Sequence, residues 1–133
     1  MKIAVITGAS SGMGREFVYA FDKDEQFDEL WVIARREDRL LELQSRCRAR
    51  VRPIVLDLGQ RESFDVYKEL LEREKPEIAV LVNAAGFGLF GVFTEMDRDC
   101  QLDIVDLNSR ALTAMCHMSI PYMTSGSRIV NMG

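Results

Sequence analysis

The sequence predicts an α/β fold built on a doubly wound parallel sheet. Short apolar runs alternate along the chain with stretches of helical period. The most continuous run, Ile78-Ala79-Val80-Leu81-Val82, has no polar alternation, as expected of a central parallel strand covered on both faces. A loop carrying Gly8, Gly12 and Gly14 separates the first apolar run from the first helical stretch. Strand, glycine loop and helix is the arrangement by which such folds present backbone N–H groups to a phosphate.

Taken in order, Ile3 to Ile6 reads as a buried strand and Arg15 to Lys23 as a helix. Asp22 to Asp28 is a polar turn, and residues 30–34 form a second apolar strand. Arg36 to Arg48 is helical, with Leu40, Leu41 and Leu43 as a partly buried stripe. Val51 to Leu56 is a third strand; Pro53 suits an edge position because proline donates nothing to the ladder. Ser63 to Arg73 is a third helix with Phe64, Val66, Tyr67, Leu70 and Leu71 as its inner face, and Pro76 ends that region. After the fourth strand, a glycine-rich loop runs from Asn83 to Gly91. Thr94, with Asp97 three residues on, reads as a helix cap. Asp97 to Ile120 is a long helix with Leu102, Val105, Leu112, Met115 and Cys116 at helical spacing. Residues 128–131 begin a fifth strand.

Repeated β-α units force parallel strands and right-handed crossovers. The expected sheet order is 3-2-1-4-5, a Rossmann-type arrangement within residues 1–133, with no linker and no second domain in view.

Bulk properties narrow the function classes. Net charge is −4, so no basic surface argues for nucleic acid. No apolar run is long enough to span a bilayer, and the chain opens directly on a strand, which leaves no room for a signal peptide. Cys47, Cys100 and Cys116 are an odd, scattered set, which suggests reduced thiols and a cytoplasmic setting. Cys116 and His117 are adjacent, but no second pair completes a metal site, so no metal is expected and His117 reads as structural.

In doubly wound sheets the ligand lies outside the carboxyl ends of the strands, where strand order reverses. The marked residues fall at those ends. The first strand runs into Gly8, Ser10, Ser11, Gly12, Met13 and Gly14. The second ends in Arg35 and Arg36. An acidic residue there would bind a ribose 2′-hydroxyl, whereas arginines pair with a 2′-phosphate, which favours NADP(H) while leaving NAD possible. The bland alternative is a solvated basic helix start. The third strand ends in Asp57-Leu58, where Asp57 alone could equally be a cap or turn residue. The fourth ends in Asn83-Ala84-Ala85-Gly86, small enough for a ribose and nicotinamide to approach the backbone, with Asn83 able to bridge to the neighbouring strand.

The glycine spacing is G-x-x-x-G-x-G rather than G-x-G-x-x-G. Preceded by Thr7, it resembles the T-G-x-x-x-G-x-G element of the short-chain dehydrogenase/reductase family. Asp57, the Asn83-Ala84-Ala85-Gly86 stretch, Asn108 and Ile129-Val130-Asn131 follow in family order. The resemblance covers all 133 residues, but only about the first half of a typical member. It implies that Asp57 accepts from the adenine amino group, that Leu58 packs on the ring and that Asn108 holds a water in a proton relay. It also implies hydride transfer between the nicotinamide and an alcohol or carbonyl substrate.

The family's serine would sit just after Gly133 and its Tyr-x-x-x-Lys pair beyond that. The expectation is therefore an incomplete reductase, truncated after the fifth strand, lacking turnover and prone to self-association as a homo-oligomer through its exposed edge. Tyr19-x-x-x-Lys23 has the pair's spacing but lies on the first helix, where catalysis is not expected. Alternatives are a non-catalytic nucleotide-binding module and an inert product. Phe87, Phe90 and Phe93 suggest an apolar rim, although core packing explains them as well. The substrate itself is not legible.

Overall fold

The computed structural model describes residues 1–86 and 91–132. Five parallel strands form one sheet in the order β3-β2-β1-β4-β5. The elements are β1 (Lys2–Thr7), α1 (Gly12–Asp24), β2 (Glu29–Ala34), α2 (Glu37–Arg46), β3 (Val51–Val55), α3 (Arg61–Glu74), β4 (Glu77–Asn83), α4 (Arg98–Ser119) and β5 (Arg128–Asn131). Short 3-10 turns at Phe93–Glu95 and Ile120–Tyr122 flank α4. The sequence-derived sheet order is the observed one.

Alternation along β1 shows why the sheet is covered on both sides. Ile3 and Val5 join the core beneath α3 and α4, with Trp31, Ile33, Tyr67, Leu71 and Met115. Ala4 and Ile6 join the opposite core beneath α1 and α2, with Val18, Leu30, Val32, Leu40 and Leu43. Each fully buried large side chain contributes about 1.5–3 kcal/mol of transfer free energy, so both faces drive folding. Pro53 lies on β3, at the outer edge of the sheet, where its missing N–H costs no ladder bond.

Several helix faces differ from the periodicity reading. The inner face of α3 is Ser63, Tyr67, Leu70 and Leu71, while Val66 is exposed. In α2, Leu40 and Leu43 are buried and Leu41 points outward. In α4 the buried residues are Ala111, Met115 and Ser119. Leu102 and Val105 are 58% and 62% exposed, because the part of the helix seated on the sheet is the C-terminal half. The cap of α4 is Asp97 itself, whose carboxylate accepts from the Cys100 amide at 2.9 Å; Thr94 belongs to the preceding 3-10 turn. Helix α1 starts at Gly12, so Gly12 and Gly14 are its first turn rather than part of the loop.

Candidate cofactor site

The crossover from β3 to β4 reverses the direction of winding, and a crevice opens between the carboxyl ends of β1 and β4. A cavity of about 330 Å³ occupies it. Its walls carry Gly8, Ser10, Ser11, Gly12, Met13 and Gly14 from the first loop. Arg35 comes from the end of β2, Leu58 from the end of β3, and Ala84, Ala85 and Gly86 from the end of β4. Four distant chain segments named from sequence therefore meet in one place.

The loop is held by backbone bonds rather than by side chains that would fill it. The Ala9 amide donates to the Ile33 carbonyl at 3.3 Å, tying the loop to β2. Gly8 has φ +64, and a Cβ there would lie 2.5 Å from the Ala84 carbonyl oxygen, so loop and β4 approach to backbone contact. Gly12 has φ +55, yet a Cβ there would meet nothing within 4 Å. Its positive φ points to glycine, but the space above it is open. The N-cap of α1, Ser11, makes no side-chain cap bond, and the first turn carries no acidic residue. The first-turn residues Gly12, Met13 and Gly14 thus line the cavity with no side-chain cap and no acidic neighbour in their turn, in the field of about half a positive charge.

At the β4 end, the buried Thr7 hydroxyl accepts from the Ala84 and Ala85 amides, both at 3.1 Å, and donates to the Val82 carbonyl at 3.4 Å. Asn83 is buried and points sideways. Its Nδ2 donates to Asn131 Oδ1 on β5 at 2.9 Å and to Cys116 Sγ at 3.4 Å. Asn83 is thus a brace between strands, the bridge expected from sequence, and not a wall of the cavity. Gly86 packs against the Asn108 side-chain amide, and the preceding residue of α4, Leu107, lines the cavity.

Two further residues named from sequence stand off the cavity wall. Asp57 builds the turn into α3: one carboxylate oxygen accepts from the Gly59 amide at 2.9 Å, and its carbonyl accepts from Ser63 Oγ at 2.6 Å. Arg36 is the exposed N-cap residue of α2 and lines neither this cavity nor its neighbour. Phe93 is 77% exposed; Phe87 and Phe90 lie outside the described residues. His117 lines a groove between α3 and α4, away from the crevice. Ile33, Leu56 and Met132 also line the cavity, and no motif in the sequence distinguished them from ordinary core residues.

A family model described as short chain dehydrogenase matches residues 2–133. The chain belongs to the short-chain dehydrogenase family. Among curated relatives, an NADP-dependent 3-hydroxy acid dehydrogenase of Schizosaccharomyces pombe is 30% identical, with 99% of this chain aligned to 53% of that one. A short-chain dehydrogenase of Sphingobium yanoikuyae, solved in complex with NADPH, superposes with a TM-score of 0.76 at 27% identity, covering 91% of this chain and 48% of that one. An alcohol dehydrogenase of the archaeon Thermococcus sibiricus, complexed with 5-hydroxy-NADP, gives a TM-score of 0.77 at 28% identity over 92% of this chain and 53% of that one. The chain spans about half the length of the curated relatives it matches. Among the described residues, no helix is long and apolar enough to cross a membrane.

Proposed function

We propose that residues 1–133 are the NADP(H)-binding unit of a short-chain oxidoreductase. The observation that carries this reading is the open space above Gly12, at the unneutralised first turn of α1, in the same cavity as Arg35. A dinucleotide's pyrophosphate fits the amides of residues 12–14, and small residues 84–86 leave room for the nicotinamide ribose. Arg35 stands where an acidic residue would select NAD, and its guanidinium suits a 2′-phosphate. The NADP-bound relatives support the same choice.

When bound, the nicotinamide supplies or accepts a hydride. This chain's contribution is to hold and orient: the glycine loop fixes the pyrophosphate, and Thr7 and Asn83 brace the β4 end. In the full-length protein the substrate is a small alcohol or carbonyl compound, and Asn108 holds a water for proton transfer. The Tyr-x-x-x-Lys spacing in this sequence, Tyr19 to Lys23, belongs to α1, and Tyr19 lines a cavity between α1 and α2 instead. The 133-residue chain alone therefore binds cofactor without turning substrate over. The exposed outer edge of β5, with Leu102 and Val105 exposed on α4, supports self-association into homo-oligomers. The free cysteines fit a cytoplasmic setting.

Titration of the purified chain with NADPH and NADH tests this reading. Tighter binding of NADPH is expected, and Arg35→Ala removes the preference. Equal affinity for both cofactors, or equal losses on substitution, would reject the phosphate role. A clean monomer in sedimentation at all concentrations would reject self-association.

A further inference from the structure

The two halves of α4 are held differently. Its inner stripe runs Gln101, Ile104, Leu107, Ala111, Met115 and Ser119, at helical spacing. The last three are buried. The Tyr67–Ser119 bond and the contact of Asn83 Nδ2 with Cys116 Sγ pin the C-terminal half to α3 and β4. Residues 98–110 are exposed or half-buried. Ile104 and Leu107 continue the stripe with apolar side chains, yet both are only half-buried.

The crevice explains the difference, because the leading half of α4 ends against it. Leu107 lines the cavity. A Cβ at Gly59, in the turn after β3, would stand 3.9 Å from Leu107 Cδ1. Asn108 lies against Gly86, itself a cavity wall after β4, where a Cβ would overlap the Asn108 amide oxygen. Nearer the helix start the polar contacts are local. Asp97 accepts from the Cys100 amide, Gln101 Nε2 donates to the Phe93 and Met96 carbonyls at 3.2 Å each, and Arg110 pairs with Asp106. These bonds hold the helix to itself and to its own lead-in turn. A segment with local bonds and a half-covered apolar stripe opens more readily than one packed on a core.

We infer that the leading half of α4, residues 98–110, is a cofactor-responsive strap: a ligand filling the crevice covers Leu107 and completes the seat that the sheet does not provide. This rests on the cofactor-binding reading above and extends it, because it brings the start of the helix into the binding equilibrium. At 1.5 Å per residue, Asp97 is about 15 Å from Leu107 along the helix axis, and it does not line the cavity. A cofactor that favours the seated helix is itself favoured by seating, by the same factor. Loosening the cap at Asp97 therefore weakens a ligand whose cavity the cap does not line.

Hydrogen–deuterium exchange of the 133-residue chain, with and without saturating NADPH, reads the strap, and calorimetric titration with NADPH reads the coupling. In the free chain, amides 101–108 are expected to exchange faster than amides 112–119, and NADPH to slow them by about tenfold or more. Asp97→Ala weakens NADPH by about two- to fivefold, and Asp97→Asn, which keeps a capping oxygen, restores most of the loss. Circular dichroism confirms that each variant is folded. Repeating the exchange at two protein concentrations separates the strap from self-association: protection that follows protein concentration instead of NADPH would overturn the inference. So would exchange at 101–108 that NADPH leaves unchanged, or wild-type affinity in Asp97→Ala; each of these leaves the cofactor reading intact. Failure of the wild-type chain to bind NADPH at all would reject that reading, and the strap with it.

Discussion

The Thr7 hydroxyl at the end of β1 takes two hydrogen bonds, from the Ala84 and Ala85 amides, at 3.1 Å each. One side chain therefore ties the segment leaving β4 to the end of β1, where the crevice opens. Replacement by the near-isosteric valine leaves two amides unpaired beside a buried site. Thr7→Val is expected to cost about 1–3 kcal/mol in denaturant unfolding and to weaken NADPH binding, whereas Thr7→Ser, which keeps the oxygen, retains most of both. Equal behaviour of the two variants would show that the hydroxyl is not the brace.

Gly8 and Gly12 both have positive φ, yet their replacements should fail differently. Alanine at 8 drives a methyl group into the Ala84 backbone, so Gly8→Ala lowers the melting temperature sharply. Alanine at 12 meets open space and costs about 1–2 kcal/mol of backbone strain, but its methyl group occupies the place proposed for the pyrophosphate. Gly12→Ala is thus expected to be folded and deficient in cofactor binding. Thermal melts paired with NADPH titrations distinguish the two; unimpaired binding by Gly12→Ala would remove the loop from the proposed site.

Tyr67 Oη and Ser119 Oγ form a buried hydrogen bond of 2.9 Å between α3 and α4. Burial raises the Tyr67 pKa, and the Ser119 bond offsets this only in part, so the phenol stays neutral across the working range. Tyr67→Phe strands the serine hydroxyl and Ser119→Ala strands the phenol, each at about 1–3 kcal/mol. The double variant removes both polar groups and should lose less than the two single losses added together. Additive losses in a double-mutant cycle would mean the two groups do not interact.

The Arg52 guanidinium hydrogen-bonds Glu74 and holds its carboxyl below the ordinary value, with the same partner's charge as a second cause. A depressed folded-state pKa adds stability above the unfolded pKa and loses it as pH falls through the folded one. Urea unfolding of Glu74→Gln should therefore show a deficit against wild type near neutral pH that is lost as pH falls through the depressed folded-state pKa. A deficit that persists in acid would assign the effect to packing; Arg52 also lies over the Trp31 ring, 5.2 Å from its centroid, which makes Glu74→Gln a cleaner probe than Arg52→Ala.

Much of this protein is legible in its sequence because the signals are local. A continuous apolar run such as Ile78 to Val82, a proline in β3 and a glycine loop before α1 each impose a backbone outcome on their own neighbourhood. With the handedness of β-α-β crossovers, those outcomes leave few sheet orders. Arg35, Leu58 and Ala84 to Gly86 at the strand ends could be named for the same reason: topology alone brings them to one crevice. Helix faces were less legible, because periodicity identifies an apolar stripe but not how far the sheet extends beneath it. Leu102 and Val105 keep the helical spacing and remain exposed.

What the tertiary structure alone decided is which of several chemically equivalent groups faces which space. Arg35 and Arg36 are adjacent and identical in kind, yet one lines the cavity and the other caps a helix in solvent. Arg15 and Arg39 carry no motif, and they come together because α1 and α2 lie side by side on one face of the sheet. Asp57 could by its type be a cap or a turn residue, and only the fold brings the Gly59 amide onto one of its carboxylate oxygens. Side-chain direction depends on the relative placement of elements far apart in the chain, whereas strand and loop identity depends on the next few residues; the sequence states the second directly, and the first exists only once the layers have packed.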